Sequence, residues 1–259
     1  MKHLAVVTLL LFPLMAIAED QELAALFKNH KTNGTIILTS LDGISTFVHN
    51  DKRANKRFST ASTFKILNSL IALEEGLVST AESVIKWDGT QYEYELWNKN
   101  QTLKSAFQVS CVWCYQKLAR KVGSEKYRDY ISSVSYGRLL DEFNETTFWL
   151  DNGLTISAVE QINFLKKVYS HSISFSSSSY ETLREIMVVE ESPSYTLRAK
   201  TGWAARVTPQ VGWYVGYVEV KDNVWFFATN IEISSSKDLV LRKEITESAL
   251  RIKGIIKDA

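Results

Sequence analysis

Runs of β-branched, aromatic and other apolar residues occur in two regions of the chain and predict β-strands there. Near the N-terminus, residues 34–40 and 44–50 are β-branched runs joined by a short Leu-Asp-Gly segment, which is typical of a hairpin. After residue 190 the helical period gives way to three segments rich in aromatic and β-branched residues, which predict further strands. These segments are residues 195–203, 211–220 and 223–233.

The rest of the chain follows the helical period. The segment that begins at Ser62 is apolar on almost every side, so we predict a buried helix there. Residues 101–123 predict one or two helices, and residues 157–170 open with a Ser-x-x-Glu capping box. From Asp238 onward an amphipathic helix closes the chain, whereas the serine-rich residues 172–181 predict a solvated loop.

The order of strands, helices, strands and helix predicts an α+β fold. An antiparallel sheet built from both ends of the chain is flanked by helices, and a helical domain is inserted between the two halves of the sheet. We assign residues 19–60 and 190–259 to the sheet domain and residues 61–189 to the helical domain. A cleft between the two domains is the expected functional site, and the first turn at Ser62 lies where they join.

The first 18 residues have the pattern of a secretory signal peptide. One lysine precedes an apolar run, and Ala-Ile-Ala at 16–18 predicts cleavage after Ala18. The run is short for a transmembrane helix, and no later stretch approaches 18 apolar residues. We therefore expect an exported protein with no membrane span.

Composition excludes several classes of function. The formal net charge of the 259 residues is +1, so no basic footprint for nucleic acid is present. No spacing of His, Cys and carboxylates resembles a zinc site, and no glycine loop for phosphate is found. Cys111 and Cys114 form a C-x-x-C inside a helical pattern, for which two core thiols or one local disulfide are expected rather than a redox centre.

Ser62 and Lys65 carry the first chemical signal. Residues three apart lie on the same helical face, so the hydroxyl and the amine can meet. A lysine at the start of a buried helix loses water, which lowers its pKa below the free value of about 10.4. A neutral amine beside a serine is an activated nucleophile pair. The alternative is a serine cap with a lysine that reaches the surface, and the same spacing recurs at 83–86 and 234–237.

Three further features favour the catalytic interpretation. Ser110 and Val112 form Ser-x-Val near a helix start, and Lys200 begins a Lys-Thr-Gly late on a strand. Arg242 lies at the beginning of the last helix. The order Ser-x-x-Lys, Ser-x-Val, Lys-Thr-Gly is the signature set of the penicillin-recognising serine enzymes.

Within that superfamily the sequence resembles the class D, or oxacillinase-type, serine β-lactamases over essentially the whole mature chain. One departure is Arg138, which stands where the family has the Asn of Tyr-Gly-Asn; we expect it at the edge of the cleft, with a solvent-facing position as the alternative. The resemblance is carried by "ASTFKILNSLIAL", "KWDG", Ser-x-Val, "FWLD", "ISAVEQINFL", "RAKTGW", "GWYVGYVE" and "LVLRKEI".

The resemblance implies a role for each of these residues. Ser62 is the nucleophile that opens the β-lactam, and Lys65, carboxylated by CO2 to N6-carboxylysine, is the general base. Trp149 donates its indole N–H to the carbamate, and Val112 keeps the pocket dry. Ser110 relays a proton to the leaving nitrogen.

On the substrate side, Lys200 orients the Ser110 hydroxyl. The backbone N–H groups of Ser62 and Trp203 form the oxyanion hole. Thr201, Gly202 and Arg242 bind the substrate, and the guanidinium of Arg242 pairs with the carboxylate of the substrate.

The resemblance further implies β-lactams as partners, no nucleic acid, a monomer or homodimer, a periplasmic location, and no cofactor or metal besides CO2 or bicarbonate. Residues 204–210 are expected to tune which β-lactams are accepted.

Three alternatives remain from the sequence. An antibiotic sensor domain of the same fold acylates and stays acylated, but such sensors are normally tethered to a membrane-embedded part, for which we expect no room here. A D,D-peptidase shares two of the motifs, although Trp149 in "FWLD" favours class D. A thiol oxidoreductase would use Cys111 and Cys114.

Overall fold

Six antiparallel strands form the main sheet of the computed structural model, which describes residues 18–257. The predicted signal peptide therefore lies, except for Ala18, outside the described residues. The strands are β1 (Gly34–Ser40), β2 (Thr46–His49), β8 (Val188–Glu191), β9 (Tyr195–Ala204), β10 (Val211–Val220) and β11 (Asn223–Glu232). Their order across the sheet is β2-β1-β11-β10-β9-β8.

The predicted hairpin and the three predicted later strands are confirmed. β1 pairs with β2 from Ile36 opposite His49 to Thr39 opposite Thr46. β1 also pairs with β11, so the two ends of the chain share one sheet. The edge strand β8 was not predicted, because its four residues, Val-Val-Glu-Glu, are few and half of them are glutamates, which are depleted in strands.

Two small sheets lie outside the main one. Their strands are mostly two residues long, which is too short to show any period in the sequence. One sheet contains β3 (Phe58–Ser59), β6 (Arg138–Leu139) and β7 (Leu154–Ile156), and the other contains β4 (Val84–Ile85) and β5 (Gln101–Thr102).

Helices surround the main sheet. Residues 101–123 form two helices, and the capping box of Ser157 and Glu160 is present as predicted. The closing helix begins at Leu241 and is preceded by the 3-10 turn Ser236–Val240. The α-helices are α1 (Gln21–Asn29), α2 (Asp51–Ala54), α3 (Lys65–Glu74), α4 (Leu103–Gln108), α5 (Val112–Val122), α6 (Ser124–Val134), α7 (Ala158–Tyr169), α8 (Ser177–Ile186) and α9 (Leu241–Ile252).

The solvated loop predicted for residues 172–181 is wrong over its second half. Helix α8 begins at Ser177, and the side chain of Ser176 caps it by accepting from the backbone N–H of Ser179. Ser179 is buried and donates to Oε2 of Glu74 at 3.0 Å. Serine runs favour helix starts as well as loops, because the hydroxyl can satisfy the free N–H groups of a first turn.

The segment with Ser62 also differs in detail from the prediction. Ala61–Phe64 is a 3-10 turn, and the α-helix α3 begins only at Lys65. Every residue from Lys65 to Ala72 is buried, which confirms a helix without a polar face.

The two faces of the main sheet carry two cores. Helix α7 packs on the face that includes Ile37 and Phe226, together with the other central helices. Helices α1 and α9 cover the opposite face, which includes Ile36 and Phe227. The division of the chain into two domains stays a prediction. No helix within residues 18–257 has the length and apolar character needed to cross a bilayer.

Candidate active site

A cavity of about 530 Å³ opens where four parts of the structure meet. They are the 3-10 turn Ala61–Phe64, the turn between α4 and α5, strand β9 and the start of α9. Lys65, Trp149 and Lys200 are not part of its lining, and each is buried. The lining residues are Ser62, Tyr94, Trp97, Gln108, Val109, Ser110, Val112, Leu150, Thr201, Gly202, Trp203, Ala205, Arg206, Leu239 and Arg242.

Ser62 and Lys65 meet as the spacing predicted. Nζ of Lys65 donates to Oγ of Ser62 at 3.1 Å. Lys65 is only 1% exposed, so the alternative of a lysine that reaches the surface is wrong. Burial lowers the pKa of Lys65 to about 7, because the ammonium form loses its hydration. The competing pairs at 83–86 and 234–237 have exposed lysines.

Trp149 is distant from this pair in the sequence but lies fully buried next to it in the structure. Its ring stacks on Phe64, the residue before Lys65, with centroids 5.9 Å apart. Its indole Nε1 is buried and has no hydrogen-bond partner among the described residues. Such an N–H group is costly unless an acceptor is supplied.

Ser110 and Lys200 come together from different parts of the chain. Nζ of Lys200 donates to Oγ of Ser110 at 2.6 Å and to Oγ1 of Thr201 at 3.3 Å. The pKa of Lys200 lies well below its ordinary value, first because of burial and then because of the nearby charges of Lys65 and Arg242. A hydroxyl in contact with a buried amine is suited to proton transfer.

Arg242 lies at the cavity wall as the sequence predicted. Its Nη1 donates to the carbonyl of Gly202 at 2.7 Å, while its Nε is buried without a partner. Burial lowers the pKa of Arg242 to about 10. Thr201 and Trp203 line the same wall, and Trp203 is 38% exposed. The wall thus presents a cation and a hydroxyl to an anionic group.

Two questions about individual residues are resolved by position. Arg138 is exposed on β6 and is not part of the cavity lining, so its expected place at the cleft edge is wrong. Its strand belongs to a small sheet that turns the side chain to solvent. Cys111 and Cys114 form a disulfide and both are fully buried, which selects one of the two alternatives for the pair.

Several residues of the site were not found from the sequence. Tyr94 and Trp97 belong to a loop with a single 3-10 turn, whose irregular backbone carries no period. Gln161 is buried on α7 and donates to Oγ1 of Thr63 at 2.8 Å, next to Ser62. A glutamine within the apolar face of α7 was the available signal. Among residues 18–257, no cluster of three or more His, Cys, Asp or Glu side chains could bind a metal.

Comparison with known proteins identifies the family. The model of the penicillin binding protein transpeptidase domain matches residues 15–251. β-Lactamase OXA-48 of Klebsiella pneumoniae is 41% identical over 92% of this chain and 90% of its own length. The regulatory protein BlaR1 of Bacillus licheniformis is 36% identical over 92% of this chain, which spans 39% of that protein.

Solved structures agree with this result. The class D β-lactamase FUS-1 of Fusobacterium nucleatum subsp. polymorphum superimposes with a TM-score of 0.89 at 34% identity, covering 93% of this chain and all of that one. It has the same penicillin-recognising fold that the motifs implied. The chain therefore belongs to the class D serine β-lactamases.

Proposed function

We propose that the protein hydrolyses β-lactam antibiotics through an acyl-enzyme on Ser62, with carboxylated Lys65 as the general base. The observation that carries the proposal is the 3.1 Å contact between Nζ of Lys65 and Oγ of Ser62 in a buried site. The arrangement pairs a nucleophile with a base, as covalent catalysis requires.

The surroundings of Lys65 fit carboxylation. Only a neutral amine adds CO2, and burial lowers the pKa of Lys65 to about 7, which leaves a large neutral fraction near neutral pH. The unpartnered Nε1 of Trp149 supports the same proposal, because a carbamate is an acceptor for a buried N–H. When formed, the carbamate supplies an anionic oxygen that accepts a proton.

The other residues act on the substrate. Oγ of Ser62 attacks the carbonyl carbon of the β-lactam, and the carbon–nitrogen bond of the ring breaks. Ser110 donates its proton to the leaving nitrogen and is held for this by Lys200 at 2.6 Å. The backbone N–H groups of Ser62 and Trp203 stabilise the oxyanion.

Substrate binding is proposed for the wall of β9 and α9. Thr201 and Arg242 bind the carboxylate of the substrate. The planar guanidinium of Arg242 can donate two parallel hydrogen bonds to a carboxylate. Gly202 leaves the strand open to the ligand, and Val112 limits the entry of water. A water molecule then hydrolyses the ester on Ser62 and frees the enzyme.

A sensor is the second candidate, because of the similarity to BlaR1. A sensor of this kind would acylate on Ser62 and release no product. Mixing enzyme with excess of a chromogenic cephalosporin separates the two. Continued product formation supports the hydrolase, and one equivalent of product per enzyme supports the sensor.

Location, assembly and substrate range complete the proposal. Export to the periplasm is inferred from the signal pattern of residues 1–18. A monomer or a homodimer is expected. Ala205 and Arg206 of the β9–β10 loop line the cavity, so residues 204–210 are suited to tune the choice among β-lactams, carbapenems included.

The decisive experiment is Ser62→Ala with mass spectrometry. Wild type should form a covalent adduct on Ser62 with a slowly hydrolysed β-lactam, and Ser62→Ala should form none and show no turnover. Ser234→Ala is the matched control, since Ser234 has the same spacing to a lysine but is exposed. An adduct on Ser83 or Ser234 would overturn the assignment.

A further inference from the structure

Ser110 occupies a backbone position that usually belongs to glycine. Helix α4 ends with the backbone N–H of Cys111 donating to the carbonyl of Ala106 at 2.9 Å and that of Ser110 to Phe107 at 3.2 Å. This is the Schellman pattern, in which the residue after the cap is left-handed. Ser110 has φ of 54°, which a residue with a Cβ adopts at a cost. Its conformation must therefore be held by its neighbours.

The disulfide lies directly after this turn. Cys111 is the N-cap of α5 and Cys114 is its third residue, with Cα atoms 5.4 Å apart. The bridge encloses Val112 and Trp113. Ser110 and Val112, the two neighbours of Cys111, line the cavity. Both cysteines are 0% exposed. The bridge thus fixes the backbone that carries two residues of the site.

A second restraint holds the other side of the turn. The indole of Trp97 donates to the carbonyl of Val109 at 3.0 Å, and the indole of Trp113 donates to the carbonyl of Trp97 at 3.0 Å. Val109 and Trp113 are both hydrogen-bonded to Trp97 in this way. Cys111 lies between them in the chain, and its backbone is restrained by the disulfide to Cys114.

We propose that the Cys111–Cys114 disulfide is a positioning element for Ser110, which keeps its hydroxyl against Nζ of Lys200, and that the oxidised chain is the fully active one. The inference rests on the proposed function. It also gives a role to a pair that the sequence predicted only as two core thiols or one local disulfide. The sulfurs do not touch the substrate, so they act only through Ser110 and Val112.

Reduction has a structural consequence in this place. It breaks the bond between the two sulfurs and adds a hydrogen to each in a site with no exposed surface. The covalent restraint on the Cys111 backbone is then lost, and a closely packed core passes such a change on to its neighbours. Cys111 is bonded to Ser110, so the change reaches the hydroxyl.

Formation of the bridge is a two-electron oxidation. The two thiols lose two protons and two electrons, and a disulfide of an exchange partner takes them up and becomes a dithiol. Both sulfurs are buried in the folded protein, so the exchange occurs before folding is complete. An oxidising compartment outside the cytoplasm meets this requirement.

The test compares variants of the whole protein by rapid kinetics. Cys111→Ala with Cys114→Ala should lower the acylation rate constant at least tenfold. The dissociation constant of the substrate should change less than threefold, since Thr201 and Arg242 are untouched. The limb of the pH–rate profile that belongs to Lys200 should shift, because its amine loses a fixed hydroxyl partner. Leu118→Ala, also in the core of α5, is the stability control and should leave both acylation and the pH profile unchanged.

A comparison without substitutions guards against misfolding of the variant. Wild type is refolded once with a reducing phosphine and once with oxidised glutathione, and free thiols are counted by alkylation. The reduced folded form should acylate at least tenfold more slowly and recover on oxidation. Equal acylation rates for the oxidised and the reduced or bridge-free forms would overturn the positioning role. An inactive oxidised wild type would instead contradict the proposed function.

Discussion

Gly202 of β9 passes directly against Thr63, the residue after Ser62. A Cβ placed on Gly202 would lie 3.2 Å from Cγ2 of Thr63 and 3.3 Å from its backbone nitrogen. The 3-10 turn therefore packs on β9 with no side chain between them. The spacing between the backbone N–H groups of Ser62 and Trp203, the proposed oxyanion hole, depends on this contact.

Gly202→Ala should widen that spacing by a few tenths of an ångström. The expected result is a fall in kcat of about tenfold or more, because oxyanion donors act only at close range. The free energy of unfolding should fall by about 1–3 kcal/mol, because the added methyl group overpacks a buried contact. Steady-state kinetics and urea unfolding check both parts. An alanine variant with wild-type kcat would show that this contact does not set the hole.

Lys65→Met should abolish turnover and stabilise the fold. Burial lowers the pKa of Lys65 to about 7, whereas in the unfolded chain it is about 10.4. Between these values the unfolded state binds more protons, so in CO2-depleted buffer the stability of wild type should rise with pH across this window. Methionine removes the cost and should add about 1–2 kcal/mol at pH 7.

Urea unfolding at pH 7 and at pH 9 measures this effect. The gain from Lys65→Met should be smaller at pH 9, because deprotonation of the lysine on folding costs less free energy as the pH approaches the unfolded pKa of about 10.4. A variant that is less stable than wild type at pH 7 would show that the burial of Lys65 does not destabilise the fold.

Bicarbonate should raise the activity of CO2-depleted enzyme. Below about pH 7 the amine of Lys65 is protonated and cannot add CO2, so activity should fall as the pH decreases through this value and bicarbonate should restore it less. Carbon-13 NMR with labelled bicarbonate should show a carbamate signal. An active enzyme with no such signal and no response to bicarbonate would show that Lys65 acts as a plain amine.

Trp149→Phe should make activity more dependent on bicarbonate. The unpartnered Nε1 of Trp149 is then lost as a donor, so the bicarbonate concentration for half-maximal activity should rise about tenfold, which corresponds to about 1.4 kcal/mol. Trp213→Phe is the matched control, because that buried indole already donates to the carbonyl of Ser59 at 2.9 Å. It should reduce stability without a change in the bicarbonate requirement. The same response in both variants would contradict the role of Trp149.

Arg242→Ala should mainly raise KM for substrates with a ring carboxylate. Loss of a hydrogen bond to a charged group costs about 1.5–3 kcal/mol, or about 10- to 150-fold in KM. Lys243→Ala, which removes an exposed cation one residue away, should change KM less than threefold. If Arg242→Ala and Lys243→Ala have equal effects, general charge rather than a direct contact is responsible.

The long regular elements could be predicted from their length and composition. Strands β9 and β10 are ten residues each and rich in β-branched and aromatic residues, and α3 is an apolar segment that is buried from Lys65 to Ala72. Short strands such as β6 carry two residues and no period. The start of α8 was missed because the sequence does not distinguish serines that cap a helix from serines in a loop.

The polar centre of the site could be predicted for a different reason. Ser62, Lys65, Ser110 and Lys200 form a set whose order along the chain is specific even though each motif alone is loose. The aromatic residues Tyr94 and Trp97 of the cavity lining could not be predicted, because their place depends on how an irregular loop packs against the rest of the protein. Arg138 shows the same limit, since the direction of one side chain on a two-residue strand follows from tertiary packing alone.

The pairing of β1 with β11 places a condition on the time order of folding. Gly34 pairs with Ile231 and Ser40 with Trp225, so the first strand waits for residues made almost two hundred positions later. Until then β1 lacks its central neighbour and Arg242 has not been synthesised. Sheets closed by such distant segments form slowly. The main sheet therefore cannot be completed until the C-terminal strands have been made, and until then the edges of β1 and β2 are open to pairing with other chains.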